Sequence, residues 1–226
     1  MTLRIYDDLT QGTDEWLEAR RGIVTASVVG QLITPSKISV AHSDTSRRLI
    51  YKLLAERITG RVEPVYVSDD MLRGTMEEPL ARAAYSEWAG VHVDQVGFIT
   101  EDTWGPTIGY SPDGLVGDDG LIEIKSRRTT KHIRTILSDQ VPIENMAQIQ
   151  CGLMVSGRQW CDYVSYCGGL PLFIKRVHPD SAWRSVIVQA ALDADCAMDD
   201  YMTAYQAVTK GMPVMPESTF DQEITI

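Results

Sequence analysis

No stretch of eighteen consecutive apolar residues occurs in the 226-residue chain, which argues against a membrane-spanning helix. The opening residues, MTLRIYDDLTQGTDEW, carry no apolar h-region, so no secretory signal is expected and the cytoplasm is the default compartment. The four cysteines, Cys151, Cys161, Cys167 and Cys196, form no CxxC pair. That spacing argues against a zinc ribbon, and the set is too scattered for an iron–sulfur cluster; buried, reduced thiols are expected. His42, His92, His132 and His178 likewise lack metal-ligand spacing. Internal repeats, low-complexity runs and an obvious linker are also missing, so the simplest organisation is one domain over residues 1–226.

Positive charge is scarce as well: 21 Lys and Arg stand against 31 Asp and Glu, for a net charge of −10. What there is of it is concentrated. Residues 20–61 hold eight Lys/Arg (Arg20, Arg21, Lys37, Arg47, Arg48, Lys52, Arg57, Arg61) against Asp44 and Glu56. Residues 125–134 hold Lys125, Arg127, Arg128, Lys131 and Arg134 with no acid. Two basic segments on an acidic body can form a local phosphate-binding surface that does not bind polyanions everywhere. Two solvated helix faces would carry the same charges.

The residue pattern predicts a mixed α/β chain. Thr13 can cap a helix over Asp14–Arg20, with acids in its first turn. Ser27 can cap a second helix near Val28–Ile33, and residues 34–44 read as an exposed loop. Asp44 or Thr45 starts a helix through Ile58 whose Leu49, Leu53, Leu54 and Ile58 share a face, with Gly60 as the stop. A helix over Asp69–Trp88 should be kinked or restarted at Pro79, which lacks a backbone donor. The period then changes to two: strands are expected at Val91–Phe98, Thr107–Tyr110, Leu115-Val116 and Leu121–Lys125. Helices follow over Thr130–Leu137 and Ile143–Val155, the latter behind Pro142. Gln159–Cys167 and Leu170–His178 read as a hairpin, and Asp180 or Ser181 caps a long helix to about Thr209, with an irregular tail over 211–226.

The chemistry concentrates in Ser111-Pro112-Asp113-Gly114 and the strand Leu121-Ile122-Glu123-Ile124-Lys125. Side chains alternate along a strand, so Glu123 and Lys125 share one face while Ile122 and Ile124 point into the core. An Asp on the preceding turn can lie alongside Glu123. Two anionic oxygen ligands at one point suit Mg²⁺, which fills its octahedron with waters and substrate phosphate. A lysine on the same face can orient an attacking water and offset charge on phosphorus. Singly, Ser-Pro-Asp-Gly is a common turn and Glu-x-Lys a routine strand pair. Joined as Asp-(x)9-Glu-x-Lys in a hairpin, they resemble the metal motif of restriction-endonuclease-like nucleases.

Four blocks, in order, resemble the phage lambda exonuclease family, the YqaJ-type viral recombinase nucleases, between about Asp14 and Cys167. They are Trp16 with Arg20-Arg21-Gly22-Ile23-Val24-Thr25-Ala26-Ser27; Gly74-Thr75-Met76-Glu77-Glu78-Pro79; Ser111-Pro112-Asp113-Gly114 with Glu123-Ile124-Lys125; and Met146-Ala147-Gln148-Ile149-Gln150. The resemblance implies a restriction-endonuclease-like PD-(D/E)XK fold, a central mixed sheet of about five strands flanked by helices. It also implies a two-metal Mg²⁺ site, with Mn²⁺ as a substitute. Glu78, Asp113, Glu123 and the backbone carbonyl of Ile124 would be the ligands; Lys125 would position the nucleophile and Gln148 orient the water or a phosphate oxygen. Glu77 competes with Glu78 for its role, and Gln148 could be a polar residue at a helix edge. Arg20, Ser27 and Ser111 resemble the family's pocket for a 5′-terminal phosphate, with Arg21 the alternative to Arg20; Ser27 could equally serve only as a helix cap.

By resemblance, then, the expected activity is 5′→3′ digestion of linear duplex DNA, leaving 3′ single-stranded tails for recombination with a single-strand annealing protein. A homo-oligomer, a trimeric ring, is the implied assembly. A restriction-type or structure-specific endonuclease on the same core is the nearer rival, and a catalytically silent DNA-end-binding module the farther one. The sequence departs from the family at Arg73, where an aromatic residue often precedes the glycine. Residues 34–44 and those after about 170 show no family motif. Trp16, Trp88, Trp104, Trp160 and Trp183 are expected to be mainly core.

Overall fold

The computed structural model describes residues 3–62 and 67–216. Its elements run β1 (Arg4–Tyr6), α1 (Asp14–Arg20), β2 (Val24–Thr25), α2 (Ala26–Val29), β3 (Ile33–Thr34), β4 (Ser39–Val40), α3 (Asp44–Thr59) and α4 (Asp69–Ala89). They continue with β5 (Phe98–Glu101), β6 (Ile108–Tyr110), β7 (Gly114–Val116), β8 (Gly120–Ser126), α5 (Thr129–Ser138), α6 (Ile143–Ser156), β9 (Trp160–Tyr166), β10 (Phe173–Val177) and α7 (Ser181–Thr209). Residues 211–216 carry no regular structure, while 217–226 of the expected tail lie outside the described residues. Among the described residues, no helix is long and apolar enough to cross a membrane.

Hydrogen bonding divides the strands into two four-stranded mixed sheets, β1-β5-β6-β2 and β10-β9-β8-β7, plus the small ribbon β3-β4. The pairs β2–β6 and β8–β9 are parallel and the other ladders antiparallel. One central sheet of about five strands is therefore not what forms, although the mixed α/β class is. Helix α6 packs against β5 and β6 of the first sheet and β9 of the second. Its buried residues Ala147, Ile149, Cys151, Leu153 and Val155, spread around the helix, supply apolar surface to both. On the other side of the second sheet, Ala81 and Tyr85 of α4 pack with Ile122, Ile124 and Val164. Strand β8 is thus covered on both faces, which is why five successive residues, Gly120–Ile124, are buried and why Glu123 is enclosed rather than solvated.

Local capping explains most helix limits. The Thr13 hydroxyl accepts from Trp16 N at the start of α1, and Ser43 forms a capping box with Ser46 at the start of α3. Asp180 caps α7 through Ala182 and Trp183. Gly60 and Gly90 close α3 and α4 in the left-handed region, where a β-carbon is disfavoured.

Several expectations need correction. Ser27 is not an N-cap: α2 already begins at Ala26 behind Thr25, which frees the Ser27 hydroxyl for other contacts. Pro79 interrupts nothing, because α4 runs through it from Asp69 to Ala89, tolerating one missing donor. Residues 34–44 are not simply an exposed loop, since β3 and β4 pair Ile33 with Val40 and Thr34 with Ser39. The strand expected over Val91–Phe98 begins only at Phe98, and before it Asp94 makes a lone bridge to Leu115. Among the thiols, Cys151 and Cys161 are buried, but Cys167 is half-buried and Cys196 exposed.

Candidate active site and phosphate pocket

The turn Ser111–Asp113 links β6 to β7, and β7 pairs antiparallel with β8, with Gly114 opposite Ile122. That register carries the Asp113 side chain to β8, where its Oδ2 accepts a 2.6 Å hydrogen bond from Ile124 N. Gly114 has to be glycine for this approach, since a β-carbon there would lie 2.2 Å from the Val93 side chain. Glu123, one residue earlier, is fully buried. Its carboxylate forms an ion pair with Lys125, with Nζ 2.6 Å from Oε1, while Oε2 has no hydrogen-bond partner.

Glu78 arrives from α4. Its carboxylate is held by Arg82 one turn later, and Arg82 Nε also donates to the Asp113 carbonyl at 2.8 Å. Glu77 turns elsewhere: it accepts from the Ser126 hydroxyl and lies 3.8 Å from Arg73 Nε. Gln148 on α6 is half-buried and has no side-chain hydrogen bond among the described residues.

The acids repel one another's charge. Burial raises the Glu123 carboxyl to about 7; Lys125 opposes the rise, while Asp113 and Glu78 add to it. Burial also raises Asp113, against Lys125, the Ile124 amide and Arg82, and it raises Glu78 with help from Asp113. For Lys125 burial acts downward, but Glu123 and Asp113 more than offset it and the net shift is upward. A lysine and an arginine therefore do not fully neutralise three neighbouring carboxylates.

This is the donor set that a hard divalent cation suits: oxygen ligands with surplus negative charge and, at Glu123, a buried Oε2 without a hydrogen-bond partner. No group of three or more His, Cys, Asp or Glu side chains among the described residues stands as a ready-made cage. Arg82 engages Glu78 as a counter-charge. Arg82 was not foreseen from sequence. The signal was present, because residues four apart on a helix are neighbours and Glu78-x-x-x-Arg82 is such a pair.

A second cluster forms around Arg20. Its Nη1 donates to Ser111 Oγ at 3.0 Å, and its Nη2 to Ser27 Oγ at 3.1 Å and Thr25 Oγ1 at 3.4 Å. The guanidinium lies 4.0 Å from the Trp16 ring centroid, and Trp16 Nε1 donates to Ser111 Oγ at 2.9 Å. No carboxylate forms an ion pair with Arg20 among the described residues. Burial lowers its pKa to about 10, with the distant Glu56 charge acting the other way. Arg21 points away, into a pair with Glu18 at 2.7 Å. The three residues Arg20, Ser27 and Ser111 are thus brought together across 91 positions of sequence, and Ser111 lies two residues from Asp113. Thr25 and Trp16 belong to the same cluster, roles that their positions in sequence did not reveal. A separate recess of about 470 Å³, lined by Trp104, Leu153, Arg158 and Arg184 among others, contains none of the expected metal, catalytic or phosphate-binding residues.

Similarity to known proteins agrees with this geometry. The model of the YqaJ-like viral recombinase domain matches residues 15–159, which span every residue of both clusters. An alkaline exonuclease from Laribacter hongkongensis is 35% identical, with a TM-score of 0.79, over 89% of this chain and 100% of its own. The same protein has been solved in complex with dAMP, with the same identity, coverage and TM-score. A phage-related exonuclease from Haemophilus somnus 129PT shares the fold at 12% identity and a TM-score of 0.63, over 81% of this chain and 96% of its own. No curated protein matches the chain. The architecture is that of the restriction-endonuclease-like α/β fold. Since the family model covers well over half of the sequence and a relative is matched across its whole length, the chain belongs to the family of YqaJ-like viral recombinase domains.

Proposed function

We propose that the chain is a single-domain, Mg²⁺-dependent exodeoxyribonuclease. It digests linear double-stranded DNA from a 5′-phosphorylated end and leaves 3′ single-stranded tails for a single-strand annealing protein. The observation that carries this reading is Arg20: a half-buried cation with no acid partner, surrounded by hydroxyls, two residues of backbone away from the acidic cluster at Ser111–Asp113. A cation so placed lacks an anion, and a terminal phosphate supplies one with bidentate geometry. The match to an alkaline exonuclease, and that protein's complex with a deoxynucleoside monophosphate, agree with release of nucleotides from an end.

Each residue has a chemical task under this reading. Glu78, Asp113, Glu123 and the Ile124 carbonyl would hold two Mg²⁺ ions, or Mn²⁺ in their place, which supply Lewis-acid stabilisation of the phosphorane charge and a more acidic water. The Lys125 ammonium donates to the attacking water and to the developing negative oxygen. Gln148, unpaired on α6, orients that water or a non-bridging phosphate oxygen. Arg82 keeps Glu78 and the Asp113 turn in mutual position. Arg20, Ser27 and Ser111 grip the terminal phosphate so that the next linkage faces the acids. The assembly is a homo-oligomer, a trimeric ring.

The test compares three DNAs with Mg²⁺: linear duplex with 5′-phosphate, linear duplex with 5′-hydroxyl, and closed circular duplex. Rapid loss of the 5′-phosphorylated strand with the circle intact is the expected result. Cutting of the circle would discard end recognition and leave an endonuclease, and absence of cleavage from every substrate would leave a DNA-end-binding module.

A further inference from the structure

Beyond β8 the backbone continues the ladder, with Arg127 N donating to the Tyr166 carbonyl, so Glu123, Lys125 and Arg127 occupy alternate positions along one edge of the chain. Arg127 lines an open cleft of about 490 Å³ with Arg73, Arg128, Thr129, Thr130, Glu77, Cys167 and Gly168. Its Nη2 is held by neutral acceptors, Asn145 Oδ1 at 2.6 Å and Tyr163 Oη at 3.5 Å. Its Nε is enclosed and without a partner, and no ion pair neutralises the guanidinium among the described residues. The cleft also contains the start of α5, a ten-residue helix whose N-cap, Arg128, makes no side-chain capping bond. Backbone donors of the first turn are therefore left for a ligand.

Three acids reach the region, one of them Glu144 at the start of α6, which pairs with Lys131 at 2.8 Å and also feels the Arg127 charge. Asp70 bridges Arg73 and Arg128 at 2.8 Å each, and Glu77 accepts from Ser126 and lies 3.8 Å from Arg73. The Asp70 pairs are exposed, so they are screened and weak, and a polyanion competes with them. Arg127 is in no ion pair among the described residues, and the Glu144 carboxylate that feels its charge is held by Lys131.

We infer that this cleft, built by Arg127, the rim arginines Arg73 and Arg128, and the first turn of α5, binds the backbone phosphate immediately 3′ of the scissile linkage. The inference rests on the nuclease reading above and adds a third phosphate station to it. Alternate residues on a strand stand about 6.6–6.8 Å apart, from a rise of about 3.3–3.4 Å per residue. That is close to the separation of successive phosphates on an extended nucleic-acid strand. The terminal phosphate at Arg20 and Ser111, the scissile one at Asp113, Glu123 and Lys125, and the next at Arg127 then form one track. The ligand is a nucleic-acid phosphodiester, read through its charge and not its sequence.

The experiment measures binding of a fluorescent linear duplex by the full-length protein at several salt concentrations, in Ca²⁺ to prevent cleavage. Arg127→Met is expected to weaken binding about tenfold for 5′-phosphate and 5′-hydroxyl ends alike, and to lower the salt slope by about 0.9, one phosphate contact. Arg127→Lys should restore the slope. A methylphosphonate at the linkage 3′ of the scissile bond should weaken wild type by a similar factor and leave Arg127→Met unaffected. If Arg127→Met loses its fold, Arg73→Ala with Arg128→Ala, both at the rim, should still lower the slope. A wild-type slope in folded variants, or a methylphosphonate effect unchanged by Arg127→Met, overturns the proposal. Wild-type protein that neither binds nor cuts linear duplex would instead overturn the nuclease reading itself.

Discussion

Asp113 contributes at two points: its side chain takes the Ile124 amide and its carbonyl takes Arg82. Asp113→Ala removes the first and leaves the second, so the turn should persist while the anionic oxygens disappear. Cleavage is expected to fall by at least a thousandfold, since a lost metal ligand removes several kcal/mol of transition-state stabilisation. Binding to duplex ends, measured by anisotropy, should stay within about threefold; near-native turnover would refute the assignment. Glu123 supplies a second prediction. Burial, moderated by Lys125, raises its carboxyl to about 7, so the metal-free folded protein binds more protons than the unfolded chain between the ordinary carboxylate range and that value. Stability of chelated protein should therefore decline as pH rises from 5 to 8. Lys125, raised above its ordinary value, stays charged in both states over that window and contributes no slope. Thermal melts should show the Tm gain from Mg²⁺ growing over the same interval, and a gain independent of pH would count against Glu123 as a ligand. The motif spacing made it readable in sequence that Asp113, Glu123 and Lys125 come together. Arg82 was missed because a salt-bridged helix pair looks the same whether it decorates a surface or aligns two acids.

Helix α6 joins the two sheets through very close contacts. At Gly152 a β-carbon would meet the Tyr110 ring at 2.7 Å, and Tyr110 is itself buried with its hydroxyl unpartnered. Gly152→Ala should cost about 1–3 kcal/mol by overpacking, read as a lower denaturant midpoint with unchanged slope. An unchanged midpoint would mean that the ring shifts freely. At this scale the helices were largely legible, because caps and glycine stops are local: Thr13, Asp180 and Gly60 act within one turn. The strands were less so. Whether Val91–Val96 pairs depends on a partner edge far away in sequence, and a residue pattern carries no such information. The division into two ladders was hidden for the same reason. Pro79 misled because one missing donor in a 21-residue helix is offset by the packing of Ala81 and Tyr85 beneath it.

Across the whole molecule, a net charge of −10 coexists with two concentrations of unpaired positive charge, at Arg20 and at Arg127. An acidic exterior discourages loose polyanion adhesion while the basic stations remain attractive at short range. Helix α4 presents Met71, Leu72, Met76 and Leu80 to solvent, all about half exposed or more. A stripe of this kind suits burial in an assembly or against a ligand. Sedimentation at micromolar concentration is expected to give about three times the 25.2 kDa chain mass. A monomer would refute the ring and leave the stripe to DNA.

An Arg20 pocket that holds the terminal phosphate as proposed, having no acid of its own, would recognise an anion and little of what the anion is attached to. Orthophosphate should therefore inhibit competitively against 5′-phosphorylated ends, and much less against 5′-hydroxyl ends. Each turnover also produces a fresh competitor, since a liberated mononucleotide carries the same group. Such an enzyme would slow itself as product accumulates, and the length of a resected tract would then depend on how quickly the surroundings clear nucleotides.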